Sequence, residues 1–126
     1  MLSKHIQEID NAIRECTLVV KYTLYKEQLS PNTGYIEGEI LFIDNSRLVY
    51  FELYNSKESS IYCEKYRYQF MDSHNQLIFR YDNAPHHFEL SSFPHHKHVT
   101  SGVIESNPLH FAKVLNEVES IILQSI

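Results

Sequence analysis

Six of the eight histidines fall between residues 74 and 98, and five of these six stand in two short blocks. The first block is DNAPHH, residues 82–87, and the second is HHKH, residues 95–98. A proline stands directly before the histidines of each block and stiffens the backbone that presents the rings. Imidazole is the side chain whose ordinary pKa lies near neutral pH, so proton transfer is the chemistry that this segment could perform.

Three interpretations of these histidines are open from the residues alone. The first is acid–base chemistry on a phosphodiester. Cleavage of RNA without a metal needs a base for the 2′-hydroxyl proton, an acid for the leaving oxygen and a cation for the charge of the phosphorane. The second is a metal site, because His-rich tracts bind zinc and other divalent ions. The third is a structural role, in which the rings only form hydrogen bonds within a folded loop.

The spacing of the histidines disfavours the metal interpretation. It matches no standard pattern of zinc ligands, and adjacent histidines rarely reach the same ion. Cys63 is the only cysteine near the histidine blocks. The chain also lacks a glycine-rich phosphate loop, an HExxH motif and a GxSxG motif,. We therefore predict no metal and no cofactor.

The charges are distributed so that the histidine segment is the least acidic part of the chain. The formal net charge of the 126 residues is −5 with neutral histidines. Residues 61–104 hold four acidic and four basic residues, so the excess of acid lies outside them. An acidic protein does not coat nucleic acid by bulk charge, but a local phosphate site remains compatible with this distribution.

The candidate site residues divide into two groups. The catalytic candidates are four acids or bases and one arginine that would stabilise charge on the phosphate: His87, His95, His96, His98 and Arg67. The substrate-binding candidates lie on the same segment: Arg80, Lys97, Tyr68, Asp82 and His86. Asp82 could orient a histidine or pair with an arginine, and both roles are open. The helical His5 and His110 are predicted to be exposed to solvent.

Regular elements precede the histidine blocks. Apolar residues at Leu2, Ile6, Ile9 and Ile13 recur at helical spacing and predict a helix over residues 3–15,. Alternation of apolar and polar residues then predicts five strands, at about residues 16–29, 35–43, 47–54, 61–71 and 76–81. On this alternation Glu52 is assigned to the solvent side of the sheet. Short turn-forming segments between the strands predict an antiparallel meander.

The end of the chain is predicted to be a loop followed by a helix. Residues 82–106 follow no period and are predicted to form a long loop,. Asn107 and Pro108 are predicted to cap and open a second helix. The predicted fold is a single α+β domain over residues 1–126. It has an antiparallel sheet of about five strands, with an N-terminal and a C-terminal helix on one face and the other face left for a ligand or partner.

The composition also bears on location. The longest apolar runs are too short to cross a membrane, and the first residues are charged without an apolar leader,. The two cysteines lie far apart and are predicted to be reduced thiols,. We therefore predict a cytoplasmic protein.

The histidine blocks and the strands before them resemble one protein family. The run EKYRYQFMDSHNQLIFRYDNAPHHFELSSFPHHKH, followed by VIES and a proline-opened helix, is similar to the TumE-type toxins of bacterial type II toxin–antitoxin systems. The similarity covers about residues 64–118, and DNAPHH and FPHHKH are its most specific elements. Phe88 stands where the family often has proline. The motif positions are Tyr66, Arg67, Tyr68, Arg80, Asp82, Asn83, His86, His87, His95, His96, Lys97 and His98.

The resemblance implies a growth-inhibiting activity and a cognate antitoxin, typically a small helix-turn-helix DNA-binding protein. Small antiparallel-sheet toxins with a helix behind the sheet are commonly ribonucleases, which is an analogy at the level of the fold. We therefore predict the toxin of a toxin–antitoxin pair that is a metal-independent endoribonuclease with RNA as its substrate. The alternative is a non-enzymatic binding module, or a metal-binding protein, that acts through protein–protein contact. The oligomeric state is open between a monomer and a homodimer.

Overall fold

The structure is a computed structural model and describes residues 2–126. Within this range the chain forms two helices and eight strands, which confirms the α+β class but exceeds the five strands that were predicted. The elements are α1 Leu2–Glu15, β1 Val19–Tyr22, β2 Tyr25–Ser30, β3 Thr33–Phe42, β4 Arg47–Lys57, β5 Ser60–Met71, β6 Leu77–Asp82, β7 His96–Val99, β8 Gly102–Glu105 and α2 Phe111–Gln124.

All strands pair antiparallel in one sheet, in the order β1-β3-β4-β5-β6-β7-β8, with β2 also paired to β3. β1 and β2 share one edge of β3, because β4 occupies the other edge. The predicted single strand over residues 16–29 is interrupted at Thr23, whose hydroxyl accepts the Glu39 N–H at 3.0 Å. A Cβ atom at Gly38 would collide with the Thr23 carbonyl oxygen and the Tyr50 hydroxyl, so this close approach requires glycine,.

The prediction of a long loop over residues 82–106 is wrong in its second half. β7 pairs with β6, and β8 pairs with β7, so a hairpin extends the sheet at its far edge. Each of these strands has only four residues, HKHV and GVIE, and neither shows the apolar alternation of a half-buried strand,. Pairing of β7 with β6, a contact distant in sequence, and of β8 with β7 is what makes them strands.

The core lies between the two helices and one face of the sheet, as predicted. Ile9 and Ile13 of α1 are buried in it, while the prediction for the Leu2 side chain lies outside the described residues. The ring of Phe111 packs edge-on against Tyr50 at 5.2 Å between centroids. Helix α2 begins at Phe111, with His110 as its exposed N-cap in extended conformation, so the predicted start after Asn107 is wrong by a few residues.

Since both helices pack on the same face, the opposite face is not covered by a helix of the described chain. We call it the open face. It carries the side chains that alternate with those of the core, among them Phe51, Arg67, Arg80, Asp82, His96 and His98. In residues 2–126 no helix combines the length and the apolar character that crossing a membrane requires.

Candidate active site on the open face

Asp82 and His96 form the centre of the candidate site. Asp82 ends β6 and lies directly opposite His96, the first residue of β7, so their side chains share the open face,. His96 Nε2 lies 2.8 Å from Asp82 Oδ1, and His96 Nδ1 lies 2.9 Å from the carbonyl oxygen of Pro94. The His96 side chain is only 2% exposed. Both ring nitrogens therefore face acceptors, and the ring is held in one orientation.

Arg80 and His98 form the neighbouring cross-strand pair on the same face. Arg80 Nε donates to Asp82 Oδ2 at 3.1 Å, and Arg80 Nη2 lies 3.1 Å from His98 Nε2. The Ala84 N–H donates to the other carboxylate oxygen of Asp82 at 3.0 Å. The Asp82 carboxylate thus holds the arginine beside the histidine and fixes the start of the following loop.

The environment of His98 favours its neutral form. Burial lowers the pKa of His98, the positive charge of Arg80 lowers it further, and the negative charge of Asp82 opposes both. A neutral imidazole has a free electron pair that can accept a proton. His98 therefore has the electronic character of a general base at neutral pH.

His87 brings a third ring to the same place from the loop. Its centroid lies 4.9 Å from that of His96 and 5.7 Å from that of His98, and its Nδ1 lies 3.2 Å from Glu89 Oε1. The φ angle of His87 is 49°, in the left-handed region that residues other than glycine rarely adopt,. Such backbone strain persists where the surrounding contacts hold it, and it is concentrated at functional sites. We call His87, His96, His98, Arg80 and Asp82 the histidine cluster.

The histidine cluster also has the composition of a metal centre. One nitrogen from each of His87, His96 and His98 lies within 4.8 Å of the others, a set of three ligands that zinc could use,. Two contacts work against this use. Both nitrogens of His96 are already hydrogen-bonded. The Arg80 guanidinium beside His98 Nε2 would repel a cation,. The geometry therefore fits a hydrogen-bonded acid–base cluster better than a metal centre.

Two predicted site residues of the HHKH block lie on the other face of the sheet. His95 stacks on Tyr66, and its Nδ1 lies 2.8 Å from the Tyr66 hydroxyl. Lys97 Nζ lies 2.8 Å from Glu117 Oε2 of α2 and above the rings of Phe79 and Tyr81. Because side chains alternate along a strand, the block that is continuous in sequence is divided between two faces.

The remaining predicted residues are divided in the same way. Arg67 is exposed on the open face opposite Asp82, and its guanidinium carbon lies 5.9 Å from the centre of the Phe51 ring. Tyr68, the next residue, is buried on the core face, where its hydroxyl donates to Glu52. His86 is exposed in the loop beside the histidine cluster.

A second buried polar group was missed from the sequence. Glu52 is only 2% exposed, so its assignment to the solvent side is wrong. Its Oε1 lies 3.3 Å from His5 Nε2, so His5 is not simply a solvated helix residue either. The Tyr54 hydroxyl also bonds to His5. The sequence carries a signal for this burial, because Glu52 alternates in phase with Tyr50 and Tyr54, which are both core residues.

Asn83, one of the motif positions, holds the start of the loop. Its Oδ1 accepts the Tyr66 N–H at 3.0 Å, and its Nδ2 donates to the Glu64 carbonyl at 3.1 Å. These two bonds continue the pairing of β5 and β6 by one residue through a side chain. The loop that carries His87 therefore leaves the sheet in a defined direction.

The fold is that of an α+β protein, and the histidine cluster places three imidazoles, an arginine and an aspartate together on the open face of its antiparallel sheet. The family model described as Toxin TumE matches residues 9–125. The chain therefore belongs to the TumE toxin family, which confirms the resemblance and extends it to nearly the whole chain. Membership gives it the role of a toxin and implies an antitoxin partner. Comparison with curated proteins and with solved structures found no match.

Proposed function

We propose that this chain is the toxin of a type II toxin–antitoxin pair and a metal-independent endoribonuclease that acts in the cytoplasm. The observation that carries the proposal is the arrangement around Asp82. Its carboxylate binds the buried His96 and the half-buried Arg80, while the side chains of His87 and His98 stay 30% and 21% exposed. A cation and two accessible imidazoles thus stand together, which is the set of groups that RNA cleavage needs.

The reaction divides between two histidines and one arginine. In the free protein Arg80 Nη2 donates a hydrogen bond to His98 Nε2. When RNA binds, a non-bridging phosphate oxygen accepts this hydrogen bond instead, which frees the electron pair of His98 Nε2. His98 then removes the proton from the ribose 2′-hydroxyl, and the 2′-oxygen bonds to the adjacent phosphorus. The bond from phosphorus to the 5′-oxygen breaks, and His87 donates a proton to that oxygen. The products are a 2′,3′-cyclic phosphate end and a 5′-hydroxyl end.

His96 acts in this scheme as a positioning residue. It is buried, and neither of its nitrogens is free to meet a substrate. His95, Lys97 and Tyr68 lie on the core face, where they contact Tyr66, Glu117 of α2 and Glu52, respectively. We therefore assign these three residues to the packing of the core and not to RNA binding. Arg67 stays on the substrate side, next to Asp82 in register.

A second candidate function, binding of a protein target without catalysis, is favoured by one observation. Phe88 is 76% exposed directly after His87, and its ring stacks on Phe93 at 4.7 Å between centroids. An exposed aromatic pair of this kind is a typical anchor for protein contact. In the endoribonuclease proposal the same pair is where a helix-turn-helix antitoxin would cover the histidine cluster.

Cleavage of total RNA by the purified chain, with and without EDTA, tests the proposal. We expect cleavage in EDTA and a loss of about 10²–10⁴-fold in His87→Ala and in His98→Ala, because acid–base groups contribute that much. His74→Ala is the matched control, since His74 is exposed in the turn before β6, away from the histidine cluster. Loss of cleavage in EDTA would favour the metal centre, and absence of cleavage at any concentration would favour protein binding.

A further inference from the structure

Beside the histidine cluster, the open face carries a row of aromatic side chains that the proposed reaction does not use. Tyr25, Tyr35 and Phe51 follow one another from β2 to β4. Their ring centroids are 6.2 Å apart for Tyr25 and Tyr35, and 5.8 Å apart for Tyr35 and Phe51, where the planes meet at 30°. The Arg67 guanidinium lies over Phe51 and ends the row. We call these four residues the aromatic row.

The aromatic row leads directly to the histidine cluster. In register, Phe51 lies opposite Arg67, Arg67 opposite Asp82, and Asp82 opposite His96. Partners across antiparallel strands share a face, and neighbouring strands lie about 4.8 Å apart. The backbone at Phe51 is therefore about 14 Å from the backbone at His96, three strand spacings away. A single strand of a few nucleotides covers that distance.

Exposed rings on an open sheet face suit stacking with unpaired bases. Tyr25 is 53% exposed, Tyr35 and Phe51 are half-buried, and Arg67 is exposed. Both tyrosine hydroxyls point to Glu27, at 3.4 Å and 2.8 Å, which holds the two rings in place. The hydrogen bond to Glu27 raises the pKa of Tyr35 to about 12, so this ring stays neutral.

The charges of this region favour a phosphate at one end of the row only. Arg67 stands between Phe51 and the histidine cluster, and Arg80 belongs to that cluster, whereas Glu37 lies opposite Phe51 and Glu27 lies at the outer end. A backbone phosphate is therefore attracted toward the two arginines, and the bases, which are uncharged, are left to the rings. Arg67 can bind phosphate and stack on a base with the same planar group.

We propose that the aromatic row is a base-stacking subsite for single-stranded RNA that extends from the histidine cluster across the open face. The inference rests on the proposed function and adds the substrate class: RNA with unpaired bases on one side of the scissile bond. Base stacking on aromatic side chains accepts any base, so the row contributes affinity with little sequence preference. Duplex RNA does not fit, because its bases have no free face.

The chain contains no tryptophan, so Phe51→Trp introduces into the aromatic row a single tryptophan, whose emission is separated from that of the tyrosines by excitation at longer wavelength. Titration of this variant with single-stranded DNA measures binding without cleavage, because DNA lacks the 2′-hydroxyl. We expect quenching by single-stranded DNA and none by duplex DNA of the same sequence. Binding of both nucleic acids without a fluorescence change would overturn the proposal.

Affinity measured by anisotropy gives the second arm. Phe51→Leu removes the ring and keeps apolar volume, and we expect about tenfold weaker binding of single-stranded DNA. Phe51→Tyr keeps the ring and should bind as wild type. Leu41→Ala, an apolar residue of the same face on β3, is the matched control for lost packing. Equal affinity of Phe51→Leu and wild type would overturn the proposal.

Cleavage separates this inference from the proposed function. A dinucleotide reaches only the histidine cluster, so Phe51→Leu should cleave it at the wild-type rate and cleave a longer oligonucleotide more slowly. If nothing is cleaved but DNA binding depends on Phe51, the endoribonuclease proposal fails and the stacking subsite stands. If nucleic acid does not bind and Phe51→Leu weakens binding of the antitoxin, the aromatic row is a protein interface and the inference is wrong.

Discussion

The Asp82 carboxylate and the His96 imidazole meet at 2.8 Å with side-chain exposures of 7% and 2%. Asp82 ends β6 and His96 begins β7, so their contact joins the β7–β8 hairpin to the rest of the sheet. The same carboxylate positions Arg80 on its other oxygen. The pair therefore connects the stability of the sheet edge to the geometry of the proposed reaction.

Replacement of Asp82 by asparagine should affect stability and cleavage together. The Asp82 side chain is 7% exposed and bonds to both Arg80 and His96, and breaking such a buried ionic contact costs about 3–5 kcal/mol,. For a domain of this size that lowers the melting temperature by on the order of 10 °C. Thermal melts of Asp82→Asn beside Glu8→Gln, an exposed carboxyl of α1, measure the difference. Cleavage is then compared at a temperature where both variants are folded. A wild-type melting temperature for Asp82→Asn would contradict the role of the pair.

The cleavage activity should fall only at a pH below the ordinary pKa of histidine. Burial and Arg80 lower the pKa of His98 from its ordinary value of 6.5. The neutral, proton-accepting form therefore persists below pH 6.5, and kcat/KM should decline only at the lower pKa. A pH profile with a short RNA substrate measures this limb. If the acid limb lies above pH 6.5, His98 is not the base.

Stability should depend on pH through the same residue with a definite sign. Since the folded pKa of His98 is depressed, the unfolded chain binds more protons below pH 6.5,. The stability contribution is complete above pH 6.5, is lost as the pH falls toward the folded pKa, and changes no further below it. His95, whose pKa is lowered by burial and by His96, acts in the same direction. Melting temperatures of wild type and His98→Gln between pH 5 and pH 8 should differ in slope, and equal slopes would contradict this.

Lys97 should matter for stability and little for RNA. Its ammonium group binds Glu117 and lies over Tyr81, so it links β7 to α2. Loss of a partly buried ion pair and a cation–π contact should cost about 1–2 kcal/mol in Lys97→Ala. Arg67→Ala should instead reduce the salt dependence of RNA binding by about one phosphate contact. The affinity for RNA measured over a range of salt concentrations distinguishes the two residues. A smaller dependence of the affinity on salt in Lys97→Ala would show that Lys97 contacts RNA phosphate.

Induced expression of the chain should slow bacterial growth, and co-expression of the antitoxin should relieve it. Cells that express His98→Ala should grow as fast as uninduced cells, because the substitution removes the proton acceptor. The variant should still bind the antitoxin, because its fold is intact. His74→Ala should inhibit growth like wild type. Growth curves with protein levels followed by immunoblot measure the effect. An unchanged growth curve with well-detected wild-type protein would contradict the proposed activity.

The sequence alone determined the features that depend on local pattern. Helical spacing predicted α1, alternation predicted the central strands, and the two histidine blocks marked the segment that forms the proposed site. The same blocks, with the strands before them, identified the family. These signals are readable because amphipathic period and residue type act over a few residues.

Tertiary structure decided which of the candidate residues meet. HKHV carries no apolar alternation, so only its pairing with β6 made it a strand and sent His96 and His98 to one face and Lys97 to the other. The register of β5 against β6 likewise placed Arg67 beside Asp82 and turned Tyr68 into the core. Register is a contact between distant segments, and a shift of one residue would exchange the two faces. For that reason the composition of the site was visible in the sequence, and its geometry was not.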